Sequence, residues 1–106
     1  MIKVFISQPM RGKTDEEILK ERSEAIKKVK DIVNEDVELI DSFIENDPKD
    51  IKNTSLWYLG RSIEFLADAD VAYFVNGWHD ARGCRIEHEC AKAYGVPIVY
   101  GKENKS

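Results

Sequence analysis

The sequence predicts an α/β fold: a small, doubly wound parallel sheet of about four strands with helices on both faces. Three observations carry that expectation. Apolar strand-like runs alternate with helix-like periodic segments in the order βαβαβαβ over 106 residues, the pattern of a parallel sheet with right-handed crossovers. The first and third runs, residues 3–7 and 71–75, are apolar on both alternations, as strands covered on both faces are. Each of these runs is followed by a polar, glycine-bearing loop. The simplest flavodoxin-like winding puts the strands in the order 2-1-3-4. Its direction reverses between strands 1 and 3, and ligands in such sheets bind at the carboxyl ends of the strands flanking the reversal.

Taken in order, residues 3–7 form strand 1 and lead into Ser7-Gln8-Pro9-Met10-Arg11-Gly12-Lys13. Thr14-Asp15-Glu16-Glu17 fits a capping box and predicts a helix to about Val33. Ile18, Ala25, Ile26, Val29, Ile32 and Val33 recur at helical spacing and mark its buried stripe. Glu16 with Lys20 and Glu24 with Lys28 are i,i+4 pairs for the outer face. Residues 37–41 read as strand 2, less buried because Glu38 interrupts it. Residues 42–53 read as a long connecting loop. Asn53 or Thr54 caps a second helix to about Ala67, with Trp57, Tyr58, Ile63, Phe65 and Leu66 giving it an apolar surface. Gly60 inside it points to close packing or a kink. Residues 71–75 form strand 3, a third helix starts at Gly83 or Cys84 and ends near Tyr94, and residues 96–100 form strand 4.

One domain is expected at this length. A formal net charge of -4 argues against a general nucleic-acid or anionic-membrane binder. No apolar run is long enough to span a bilayer. Strand 1 begins at once after Met1, which predicts no signal peptide and a cytoplasmic location. Cys84 and Cys90 are six apart on one predicted helix, too far apart to bridge. With two His and no further Cys, no metal site is expected. Both thiols read as small buried groups.

The two loops at the reversal hold the candidate chemistry. On a helical wheel, Ile86, Cys90, Ala93 and Tyr94 share the apolar face of the third helix, and Glu87 lies at its edge. A carboxylate turned inward beside the cleft can act as nucleophile or general base. The plainer alternative is a rim salt bridge with Arg82 or Arg11. The first loop has neither a dinucleotide nor a P-loop fingerprint, yet Ser7, Arg11, Lys13 and the amides around Gly12 could hold an anion. Trp78 could stack on a planar base or cover the core edge. Neighbouring His79 and Asp80 make no dyad.

The run Lys3-Val4-Phe5-Ile6-Ser7-Gln8-Pro9-Met10-Arg11-Gly12, Ala69-Asp70-Val71 opening an apolar strand, and Gly83-x-x-x-Glu87-x-x-x-Ala91 together resemble the nucleoside 2-deoxyribosyltransferase superfamily. The likeness covers nearly the whole chain. It is closest to a short bacterial and phage branch, and similar also to the 2'-deoxynucleoside 5'-monophosphate N-glycosidases. It implies a single flavodoxin-like domain and a homodimer or higher homo-oligomer. It further implies a small-molecule nucleoside or nucleotide substrate and no cofactor. By the same likeness Glu87 attacks the anomeric carbon, and a base or water resolves the glycosyl-enzyme. Ser7, Gln8, Pro9, Met10, Arg11 and Gly12, with Gly77, Trp78 and Gly83, contact substrate, and Ser62 or Asp70 gives polar support. The chain departs from the pattern at Ser62, where an Asp is usual, and at Glu87-His88-Glu89, where Glu-x-Gly is usual.

Overall fold

Four strands pair in parallel in the order β2-β1-β3-β4, the order the sequence predicts. The structure, a computed structural model, describes residues 1–40 and 50–101. Along the chain run β1 (Ile2–Ser7), α1 (Asp15–Val33), β2 (Val37–Leu39), α2 (Thr54–Ala67), β3 (Val71–Phe74), a 3-10 turn (Trp78–Asp80), α3 (Arg82–Ala93) and β4 (Ile98–Tyr100). Asp41 at the end of the expected strand 2, residues 42–49 of the expected loop and most of the polar tail lie outside the described residues. No described helix is long and apolar enough to cross a membrane.

Strand alternation sorts the core into two layers. Val4, Val71, Tyr73 and Val75 turn to one face and pack with Ala25 and Val29 of α1. Phe5, Ala72 and Phe74 turn to the other and pack with Leu66 of α2 and Ala91 of α3. Phe74 is fully buried there, which stabilises the fold by roughly 1.5–3 kcal/mol. The short β2 lies at the edge of the sheet beside β1.

Both strong helix starts form as expected. Thr14 closes a reciprocal capping box with Glu17, and the Asn53 side chain accepts from the Leu56 amide at 2.9 Å. The Thr14 contacts hold the Glu17 carboxyl below the usual range.

Four expectations need correction. Ile32 is 56% exposed, because the stripe on α1 narrows to Ala25 and Val29 with Ile26 and Val33 at its margins. Gly60 has nothing within 4 Å of an added Cβ and sits in an unbroken α2, so neither close packing nor a kink explains it. Neither outer-face pair closes as an ion pair among the described residues. Lys28 instead donates to the Tyr100 carbonyl at 2.6 Å. On α3 the buried face is Cys84, Glu87 and Ala91, while Ile86 is 40% and Tyr94 86% exposed. The apolar residues therefore mislead about which face of α3 turns inward, and Glu87 occupies the middle of that face.

Candidate functional site

The site begins with the alternation of β1. Phe5 faces α2 and α3, so Ser7 does too. Ser7 pairs in register with Phe74 at the carboxyl edge of the sheet, where the winding reverses. The helix α3 starts just beyond β3, and its second turn carries Glu87 back over that edge. Ser7 Oγ donates to Glu87 Oε1 at 2.6 Å, with both side chains buried. Ser62 of α2 lines the same cavity as that carboxylate, and its hydroxyl lowers the Glu87 pKa. Three elements distant in sequence thus converge on one acid, in place of the rim salt bridge to Arg82 or Arg11.

Glu87 is 8% exposed. Burial raises its pKa above the ordinary carboxylate value, and the Ser7 hydrogen bond and then the nearby Ser62 hydroxyl pull it back down. Cys84, one turn earlier, is a free buried thiol. Burial raises its pKa too, the neighbouring Ser7 hydroxyl opposes the rise, and the Glu87 charge adds to it. The thiol is therefore protonated and poorly nucleophilic at neutral pH. Cys90 is free and half-buried. No cluster of three His, Cys, Asp or Glu forms among the described residues.

Glu87 and Ser62 line a cavity of about 400 Å³, within the range of small-molecule sites. Gly83, Cys84, Gln8, Pro9 and Met10 also line it, Gln8 being buried and Met10 exposed. Among the lining residues that the sequence does not mark as part of the site are Arg22 and Tyr58. Arg22 falls in step with Ile18, Ala25 and Val29, so a cation interrupting an apolar stripe was the available signal. Tyr58 precedes Ser62 by one helical turn and shares its face of α2.

Gln8 alternates to the opposite side from Ser7 and meets α1. Its Nε2 donates to the Ile18 carbonyl at 3.0 Å and to Glu21 Oε1 at 2.9 Å. Its Oε1 accepts from Arg22 Nε at 3.0 Å. Lys13 Nζ holds both oxygens of Glu21 at 2.8 Å. No carboxylate lies within ion-pair distance of Arg22 among the described residues.

Other candidates fall elsewhere. Ser7 stands behind Glu87 and does not itself line the cavity. Arg11 and Gly12 are exposed beyond the lining, and Gly77 is absent from it. Gly77 turns the chain out of β3 with a φ of +94°, a conformation that suits glycine. Trp78 packs outside, stacked on His88 with ring centroids 4.0 Å apart and an interplanar angle of 23°. It meets Phe74 edge-on and Tyr100 in a looser stack. His88 Nε2 lies 2.6 Å from the Tyr100 hydroxyl. Asp70 is at the amino end of β3, far along the sheet from the cavity. There Asp70 Oδ2 accepts from the Lys3 amide and the Asp70 amide donates to the Lys3 carbonyl, each at 2.8 Å. The structure thus brings Glu87, Ser62, Gly83, Gln8, Pro9 and Met10 to one cavity and leaves Asp70, Arg11, Gly12, Gly77 and Trp78 outside it.

A family model described as a domain of unknown function, DUF4406, matches residues 2–100. The chain belongs to the DUF4406 family. No curated protein and no solved structure matches it. The matched span of this DUF4406 chain takes in both halves of the cavity, the β1–α1 half with Gln8 and Arg22 and the α2–α3 half with Ser62 and Glu87.

Proposed function

We propose that the protein breaks the N-glycosidic bond of a deoxynucleoside, preferring its 5'-monophosphate, by hydrolysis or base exchange. Glu87 is the nucleophile. The carrying observation is one buried carboxylate, clamped by Ser7 and facing a cavity that also holds Arg22, a cation with no carboxylate within ion-pair distance among the described residues.

Ser7 fixes Oε1 of Glu87, and the buried setting leaves the carboxylate poorly solvated and reactive once ionised. A Glu87 oxygen bonds to the anomeric carbon as the carbon–nitrogen bond breaks. The bonding pair leaves with the base, whose nitrogen takes a proton from water. Water, or a second base, then attacks the anomeric carbon and releases the Glu87 carboxylate. Two displacements retain the anomeric configuration. The planar guanidinium of Arg22 suits the two-pronged recognition of a phosphate. Tyr58, Pro9 and Met10 offer the apolar surface a base needs. No metal or organic cofactor enters this chemistry.

A second reading, a nucleotide-binding module with little or no turnover, is favoured by one observation. Glu87 is the single carboxyl group of the described lining, so among the described residues no second acid stands ready to assist the leaving base as in paired-carboxylate glycosidases.

A base-release assay across the four 2'-deoxynucleosides and their 5'-monophosphates separates the two. Release of free base by the unmutated protein, cut about a thousandfold or more by Glu87→Ala, is the expected result. Release unchanged in Glu87→Ala rejects Glu87 as nucleophile. Tight binding without release selects the module.

A further inference from the structure

Gln8, a buried residue of the cavity lining, has its side-chain amide committed to other protein groups. Both its donated bonds and its accepted bond go to α1: to Ile18, to Glu21 and from Arg22. An amide satisfied on both ends has one orientation, because a flip would set its oxygen against the Ile18 carbonyl and Glu21 and its NH2 against Arg22 Nε. Arg22 is thereby gripped at Nε alone, which leaves its two terminal nitrogens without a partner among the described residues. The acid nearest in sequence, Glu21, is engaged by Gln8 Nε2 at 2.9 Å and paired with Lys13 at 2.8 Å.

We infer that Gln8 and the Lys13–Glu21 pair are positioning residues that keep the Arg22 guanidinium oriented and unquenched for the anionic group of the substrate. Gln8 touches no reacting atom. It sets the rotation of the Arg22 plane through Nε. Lys13 acts one step further out by holding a carboxylate that would otherwise be free to close on Arg22. A side chain reaching in from the β1–α1 loop thus governs how strongly the cavity prefers a phosphorylated over an unphosphorylated ligand. The inference rests on the proposed reading of Arg22 as the phosphate contact, and it assigns what makes Arg22 selective.

The test is the ratio of dissociation constants, nucleoside over 5'-monophosphate, measured calorimetrically with 2'-deoxyadenosine and thymidine and their 5'-monophosphates. All proteins carry Glu87→Gln, so the probes are not consumed. Gln8→Met keeps the length of the side chain and removes all three bonds. It lowers the ratio about tenfold, the scale of a lost hydrogen bond to a charged group, because monophosphate affinity falls further than nucleoside affinity. Lys13→Met, at the surface end of the network, keeps the test alive if Gln8→Met does not fold. It lowers the ratio in the same direction, and adding Glu21→Gln restores it. A ratio unmoved by both Gln8→Met and Lys13→Met overturns the inference. So does an equal loss of nucleoside and monophosphate affinity, which is the mark of a merely distorted cavity. A ratio near one in the parent protein rejects the phosphate reading of Arg22 itself, and the inference falls with it.

Discussion

Ser7 Oγ donates a 2.6 Å bond to Glu87 Oε1 from directly behind the cavity wall. The strand end and the helix that flank the winding reversal are thereby joined through the acid that does the proposed chemistry. The donor is buried as deeply as the acceptor, so water cannot replace it when it is removed.

Removing that hydroxyl tests its part in tuning the acid. In Ser7→Ala, burial is opposed by Ser62 alone, so the Glu87 pKa rises further. The acid limb of the pH–rate profile should move to higher pH, and activity near pH 6 should fall about tenfold. An acid limb in the wild-type position would mean that Ser7 does not tune Glu87.

The same burial makes Glu87 a destabilising group. Its folded pKa lies above its unfolded one, so the folded state holds the proton more tightly. That contribution to stability is greatest below the unfolded value and is lost as pH rises through the folded value. Glu87→Gln should therefore melt higher than wild type at pH 7, by roughly 4–8 °C for about 1 kcal/mol in a chain of this size. The advantage should shrink towards zero near pH 4. Calorimetric melting across that range checks it, and a variant less stable at pH 7 would contradict it.

The outer stack carries the opposite sign. Burial, helped by the Lys92 charge and opposed by Glu89, lowers the His88 pKa. Its folded value lies below the unfolded one, so stability is present above about pH 6.5 and lost as pH falls through the folded value. The melting temperature of wild type should drop more between pH 7.5 and 5.5 than that of His88→Phe. In a Trp57→Phe background, Trp78 fluorescence should change over the same interval as His88 protonates beneath it. A flat signal there would exclude a titrating stack.

Gly101 is a packing requirement. A Cβ there would lie 2.8 Å from the buried Tyr73 hydroxyl and 3.2–3.3 Å from the Asn76 amide and Phe74 carbonyl. The Gly101 amide already donates to that carbonyl at 2.8 Å, so β4 cannot back away without losing a bond. Gly101→Ala should cost about 1–3 kcal/mol in denaturant unfolding, whereas Gly60→Ala, in open space on α2, should be neutral or stabilising.

The sheet order, the capped helix starts and the position of the cleft were legible because they follow from periodicity and winding rules that residue type reports directly. Glu87 was legible for the same reason, although the wheel placed it at the edge of its face. Ile86 and Tyr94 pulled the expected face towards themselves, and a buried acid supplies no hydrophobic signal. Trp78 and Arg11 were drawn to the site by residue type, but a loop fixes no direction for a side chain. Their placement follows from His88 and Tyr100 for Trp78, and from solvent for Arg11. Arg22 was overlooked because a cation on a charged helix reads as solvated surface until Gln8 is seen to hold it.

The paired bonds between Lys3 and Asp70 fasten the amino edge of the sheet, at the end remote from the cavity, and Met1 beside them is 76% exposed. A tether attached at that residue would leave the mouth of the cavity facing outward. The protein could then be anchored to a bead or electrode in a single known orientation, with every immobilised copy open to small molecules from solution.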